Sequence, residues 1–195
     1  MEDLSLFVPP AKLAGILART AAIGFQMGSE PRTGSLLRTL AASKPGGRFL
    51  ELGTGTGIAT SWLLDGMDAA SGLVSVDVDA NVQTIAREEL SDPRLILVTE
   101  DAIAFLRRQT AGSFDLLFAD ALSGKYEGLD EALRVVKPGG FYIIDDMLPQ
   151  PNWPEGHAAK VPVLIRELAA RQDFRVVPMD WASGIVIAVR RQAHS

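Results

Sequence analysis

The chain has 195 residues, 47% of them hydrophobic, which is enough for one well-buried core and short for two domains. A net charge of −5 gives no electrostatic footprint for a phosphate backbone, so nucleic acid is not expected as a partner. There is no cysteine, which rules out disulfides, thiolate metal sites and cysteine nucleophiles and leaves any metal to oxygen or nitrogen ligands.

The opening MEDLSLFVPPAKL is acidic and broken by Pro9 and Pro10, unlike a signal peptide, and no apolar run reaches membrane-spanning length. A cytoplasmic protein without a membrane partner is expected, beginning with a helix that packs over the front of a sheet. Apolar runs of strand length follow at Arg48 to Leu52, Leu73 to Asp77, Leu95 to Thr99, Phe114 to Asp120 and Phe141 to Asp145. The segments between them carry helical spacing, as in the stripes Tyr126, Leu129, Leu133, Val136 and Val161, Leu164, Ile165, Leu168. Strands alternating with helices mean parallel strands joined by crossovers. Phe174 to Met179 and Gly184 to Val189 read as two final strands, and their short connection demands an antiparallel pair.

The segment FLELGTGTGIAT, Phe49 to Thr60, places Gly53, Gly55 and Gly57 at the turn between the first strand and the next helix. Glycine lets such a turn bend sharply and approach a ligand closely, and the helix beyond it presents free backbone N–H groups. The second strand ends on Asp77, where a carboxylate can accept hydrogen bonds from a ribose diol. A dinucleotide fold wants its glycines as G-x-G-x-x-G, but Ile58 stands where the last one belongs. Glu51 suits an ammonium better than a pyrophosphate. S-adenosylmethionine carries an ammonium, and the pattern is read as a site for that methyl donor.

Acids close strand after strand: Glu51, Asp77, Glu100 with Asp101, Asp120, and Asp145 with Asp146. Like charges on one rim repel unless something neutralises them, and a divalent cation, Mg²⁺ foremost, would do so through oxygen ligands. Asp120, Asp145 and Asp146 are the candidate metal ligands, converging if the fourth and fifth strands are neighbours. The competing reading is that each aspartate caps the helix or turn that follows, and it is preferred for Asp79 and Asp101.

MGSEPRTGSLLRTLA, ELGTGTG with VSVDVD, EDAIAFL, FADALSGKY and YIIDDML together resemble the cation-dependent O-methyltransferases, the group of catechol and caffeoyl-CoA O-methyltransferases within the class I S-adenosylmethionine-dependent fold. The resemblance runs from about Met27 to Val189. It implies an α/β, Rossmann-like class I methyltransferase domain over residues 1–195, with an N-terminal helical cap at 1–45 and a nucleotide-binding core at 46–195. The core is expected to hold a seven-stranded, mostly parallel sheet with an antiparallel C-terminal hairpin and helices on both faces. It further implies Glu51, Gly53 and Thr54 at the methionine end of the donor, Asp77 at the ribose, and Asp101 with Ala102 at the adenine; Gly55, Val78 and Asp120 complete that site. Asp120, Asp145 and Asp146 would match the metal triad, although the family's third ligand is usually asparagine. The family's catalytic lysine falls where this chain has Ser123, and Lys125 lies two positions later.

LPQPNWPEGH, Leu148 to His157, has three prolines that would hold Trp153 and His157 on a substrate lid above the strand ends. Trp153 could stack on an aromatic acceptor, and His157, like Asp120 and Lys125, is a candidate catalytic group. The expected activity is O-methylation of a small hydroxylated, catechol-like acceptor. Its alternatives are a metal-independent small-molecule methyltransferase and a non-catalytic S-adenosylmethionine-binding domain. A homodimer is allowed, and the acceptor, metal, base and oligomeric state are left open.

Overall fold

A computed structural model describes residues 7–151, 153 and 155–192. Residues 1–6 of the expected cap, Asn152 and Pro154 of the expected lid and residues 193–195 of the expected core lie outside the described residues. Two helices, α1 (Leu13–Ala22) and α2 (Pro31–Ala42), precede β1 (Arg48–Leu52), α3 (Ile58–Gly66), β2 (Gly72–Asp77), α4 (Ala80–Glu89), β3 (Leu95–Thr99), α5 (Ala102–Arg108) and β4 (Phe114–Ala119). There follow α6 (Leu129–Val135), β5 (Val136–Ile144), α7 (His157–Ala170), β6 (Phe174–Met179) and β7 (Ile185–Arg190). One sheet holds all seven strands in the order β3-β2-β1-β4-β5-β7-β6, as the seven-strand reading expects. β7 is antiparallel to both neighbours, inserted between β5 and β6.

Both faces of this sheet are covered, so its strands read as near-continuous apolar runs. Along β4 the alternation is plain. Leu116 and Phe118 join Phe49, Ile143 and the helical residues Leu13, Leu37, Trp62 and Ile85 in one core. Leu117 and Ala119 join Leu50, Tyr142 and the helical residues Phe105, Leu133 and Leu164 in the other. At about 25 cal/mol per Å² of apolar surface, burying side chains as large as Trp62 and Tyr142 on opposite faces makes the two cores the main source of stability.

One expectation is corrected. The stripe from Tyr126 to Val136 is not one helix: α6 begins at Leu129, and Val136 already belongs to β5. Pro138 removes a donor and disfavours helix in the residue before it, so the chain turns extended early and passes through Gly139 and Gly140 before the regular pairing at Phe141. α1 packs on α3 and α4, on one face of the sheet. The segment after it, around Phe25 to Ser29, crosses the strand ends instead.

β1 and β4 are adjacent, with β2 and β3 on one side and β5 on the other. That reversal of strand order opens a crevice beyond the carboxyl ends, where open α/β sheets hold ligands.

Candidate functional site

Two cavities occupy the crevice. The first, about 380 Å³, opens at the β1–α3 turn and over the ends of β2 and β3. Gly53 makes it: with φ 97° it occupies the region that disfavours side chains, and a Cβ there would stand 2.8 Å from the carbonyl oxygen of Asp120. Gly55 N–H donates to Asp77 Oδ2 at 2.7 Å and Asp79 N–H to Asp77 Oδ1 at 2.9 Å, which fixes the carboxylate on the cavity wall. Gly57, at φ 92°, bends the turn as expected but faces α4 instead of the cavity, since a Cβ there would meet Ala86 Cβ at 2.8 Å.

Gly53, Thr54, Gly55, Asp77, Val78, Asp101, Ala102 and Asp120, expected at the donor, all line this cavity. Val78 is 78% exposed, an apolar face in search of a cover. Asp79 caps α4 through the N–H groups of Asn81 and Val82, and Asp101 caps α5 through Ala104 N–H, as the capping reading expects; Asp101 also faces the ligand space. The hydroxyl of Thr54 turns inward to Ser75 and Gln83 Nε2, leaving its backbone to face the cavity.

Glu51 is the exception and corrects an expectation, because it is fully buried under the glycine turn and absent from the cavity wall. Its Oε2 accepts from the hydroxyls of Thr60 and Ser75, both at 2.5 Å, while Oε1 is buried with no partner. Desolvation raises its pKa to about 7, against the lowering effect of the two hydroxyls.

The second cavity, about 400 Å³, shares Met27, Gly28, Ser29, Asp120 and Ala121 with the first and adds Lys125, Asp145, Asp146, Gln150, Trp153, His157 and Ser183. β4 and β5 are neighbours with Ala119 opposite Ile144, so Asp120 and Asp145 emerge side by side. Burial, then the charge of Asp145, raises the Asp120 pKa well above the carboxylate range. Asp145 is pushed up to about 6 by burial, against hydrogen bonds from Ser183 Oγ and Asp146 N–H. Ser123 does not reach this cavity; it lines the first. Gly124, at φ 85°, turns the chain so that Lys125 points back between the strand ends, only 3% exposed, with Nζ donating to the carbonyl of Asp145 at 3.1 Å.

His157 opens α7. Its ring lies 4.5 Å from that of Trp153, at 35° between planes, and edge-on to Tyr126, with Nε2 3.1 Å from Tyr126 Oη. Desolvation, then the Lys125 ammonium, holds its pKa down. Trp153 and His157 both line the cavity that holds the acidic pair, but His157 is buried in the first turn of α7 and does not ride on a loop, which corrects that part of the lid expectation.

A bound donor fits the first cavity: Gly53 and Gly55 present bare backbone along its wall, and a fixed carboxylate stands at its edge. A divalent cation does not fit the second as it is built. Among the described residues no group of three or more His, Asp or Glu side chains could hold a metal ion. Asp120 Oδ2 accepts from Ser29 Oγ at 2.9 Å, Asp145 Oδ1 accepts from Asp146 N–H at 2.7 Å and from Ser183 Oγ, and an ammonium lies among them. Asp146 has φ 63°, a conformation that asparagine and aspartate tolerate best, so its backbone explains the residue type without a metal. The expected triad of Asp120, Asp145 and Asp146 is therefore corrected to three carboxylates on one rim that are not arranged as a ligand set.

Sequence reasoning missed Phe25, Met27, Gly28 and Ser29 as walls of the site, and Ser183 as the partner of Asp145. Met27, Gly28 and Ser29 open the MGSEPRTGSLLRTLA stretch that carries part of the resemblance, which was their signal; nothing local marks Phe25 or Ser183. Among the described residues no helix is long and apolar enough to cross a membrane.

Comparison with known proteins agrees with this geometry. A family model described as a methyltransferase domain matches residues 50–147. A protein from Mycolicibacterium smegmatis, named for O-methyl transfer, is 30% identical over 171 residues, covering 82% of this chain and 81% of that protein. A protein of the same designation from Mycolicibacterium vanbaalenii is 32% identical over 134 residues, a match spanning 65% of this chain and 59% of that one. In structure, the chain is similar to an O-methyltransferase from Bacillus cereus in complex with S-adenosylhomocysteine, with a TM-score of 0.83 at 20% identity over 96% of this chain and 94% of that one.

Proposed function

This chain belongs to the S-adenosylmethionine-dependent O-methyltransferases, and from that premise we propose that its acceptor is a small, flat hydroxylated molecule of phenol or catechol type, seated in the second cavity. The observation that carries the reading is the shared wall: Asp120 and the Met27 to Ser29 segment border both cavities, so a donor in one and an acceptor in the other meet there. When bound, the donor supplies an electrophilic methyl group, whose bond to sulfur breaks with its electron pair returning to sulfur as the bond to the acceptor oxygen forms. Asp77 and the Gly53 turn hold the nucleoside end, and Val78 with Ala102 offers an apolar bed to the adenine. Trp153 presents a ring face against which a planar acceptor can lie. Asp120, at the junction, stands where it can take the hydroxyl proton and pass it to water.

The test incubates the purified protein with S-adenosylmethionine carrying a labelled methyl group and a panel of phenols, catechols and aliphatic alcohols. Label is expected on the oxygen of aromatic acceptors, with stoichiometric S-adenosylhomocysteine. Tight S-adenosylhomocysteine binding with no turnover across the panel would refute the proposal and favour a domain that only binds the donor.

A further inference from the structure

The acidic rim contains its own cation. Lys125 is almost wholly buried, it lines the acceptor cavity beside Asp120, Asp145 and Asp146, and among the described residues its ammonium forms a single hydrogen bond, to the carbonyl of Asp145. No carboxylate oxygen among the described residues comes within 4.0 Å of Nζ, so the charge is held among the acids without being spent in an ion pair. An ammonium has three N–H donors, and a buried donor left unpaired is costly. Among the described residues two donors of Lys125 thus lack protein partners at the wall of a cavity. The nearby carboxylates are held by other groups: Ser29 on Asp120, and Ser183 with Asp146 N–H on Asp145.

We propose that the Lys125 ammonium takes the place of a divalent cation in this site, receiving the acceptor as its phenolate and holding that oxygen beside the shared wall. The inference rests on the acceptor reading above. The acceptor's proton has passed to water before transfer, the ammonium keeps its own three protons throughout, and the oxygen–methyl bond forms as the sulfur–methyl bond breaks with its electron pair left on sulfur. A chelated metal would favour a pair of neighbouring oxygens, since hard divalent ions take six or more oxygen ligands. A lysine ammonium is a compact point charge and needs only one. The site therefore accepts a single phenolic oxygen as readily as a catechol pair.

The test uses 4-nitrophenol, whose anion is coloured and which has one hydroxyl, bound to the protein loaded with S-adenosylhomocysteine in the presence of a chelator. The bound probe is expected to remain an anion at pH values where the free probe is protonated. Lys125→Gln is expected to weaken anion binding about tenfold or more, the loss of a charge-assisted hydrogen bond. Lys125→Arg should recover part of it, with S-adenosylhomocysteine affinity and melting temperature unchanged as controls for folding. Mn²⁺ added to the wild type is expected to give no bound-ion signal in electron paramagnetic resonance and no change in probe colour. If the chelator abolishes anion binding and Mn²⁺ restores it, or if Lys125→Gln binds the anion as well as the wild type, this inference falls and the acceptor reading stands. If 4-nitrophenol binds under none of these conditions, both fall.

Discussion

Replacing Glu51 by glutamine gives a stability change that depends on pH and moves in the variant's favour as pH rises. Glu51 is fully buried, and its pKa rises from the ordinary 4.5 to about 7 because burial strips the ionised form of water, against the two hydroxyl donors that reach one of its oxygens; the other has no partner. An acid whose folded pKa is raised contributes stability that is full below its unfolded pKa and is lost as pH climbs through the folded one. At about 1.4 kcal/mol per pH unit, the wild type forfeits about 3 kcal/mol between pH 4.5 and pH 7 through this residue. Glutamine cannot ionise, so Glu51→Gln escapes that loss. Its amide oxygen can still accept from Thr60 and Ser75, but its NH₂ falls where Oε1 has no partner, at a cost of about 1–3 kcal/mol at every pH. That constant cost cancels when the variant–wild type difference at one pH is compared with that at another. Asp120 and Asp145, whose pKa values are also raised, lose stability over the same range in both proteins and cancel too. Urea unfolding at pH 4.5, 6 and 8 should show the difference moving in favour of Glu51→Gln by about 3 kcal/mol, or about 6–12 °C in melting temperature for a chain of this size. A difference that stays flat from pH 4.5 to 8 would show that Glu51 is not a strained buried acid and would refute the reasoning.

Gly53→Ala should lose donor binding and about 1–3 kcal/mol of stability, measured by calorimetry with S-adenosylhomocysteine and by thermal melting, because its φ of 97° and the nearby Asp120 carbonyl both oppose a Cβ. Asp77→Ala should weaken S-adenosylhomocysteine binding about tenfold or more, since it removes a charged acceptor and releases the N–H of Gly55; unchanged affinity would remove Asp77 from the donor site. Trp153→Ala should raise the KM for an aromatic acceptor while leaving donor affinity alone, and a donor effect of equal size would place Trp153 in the fold rather than in the acceptor cavity.

The donor half of the site was legible because its geometry is local. Gly53, Gly55 and Asp77 sit at the ends of strands whose bounds follow from apolar runs, and parallel register brings those ends to one rim without help from distant chain. Capping by Asp79 and Asp101 was legible for the same reason, each acid standing directly before its helix. Glu51 was misplaced because periodicity says which side of a strand a residue takes, and both sides of β1 are interior in a covered sheet. The metal triad was misread because the count of carboxylates was visible and their partners were not. Ser29 and Ser183 reach Asp120 and Asp145 across 91 and 38 residues, distances over which a sequence carries no local signal. Lys125 was visible as a nearby lysine; that it points inward depends on the left-handed Gly124, a conformation set by the turn.

The reversed strand β7 has a bearing on how the protein comes into being. Ser183, whose hydroxyl steadies Asp145, stands immediately before β7, and Gly184 O accepts from Met147 N–H just beyond β5. All residues that line the first cavity lie before Gly124 in the chain, whereas the second draws on Ser183, so its wall is complete only with the last strand in place between β5 and β6. Because Ile185 and Val186 of that strand also sit in the two cores, the step that finishes the second cavity is the same step that seals the sheet.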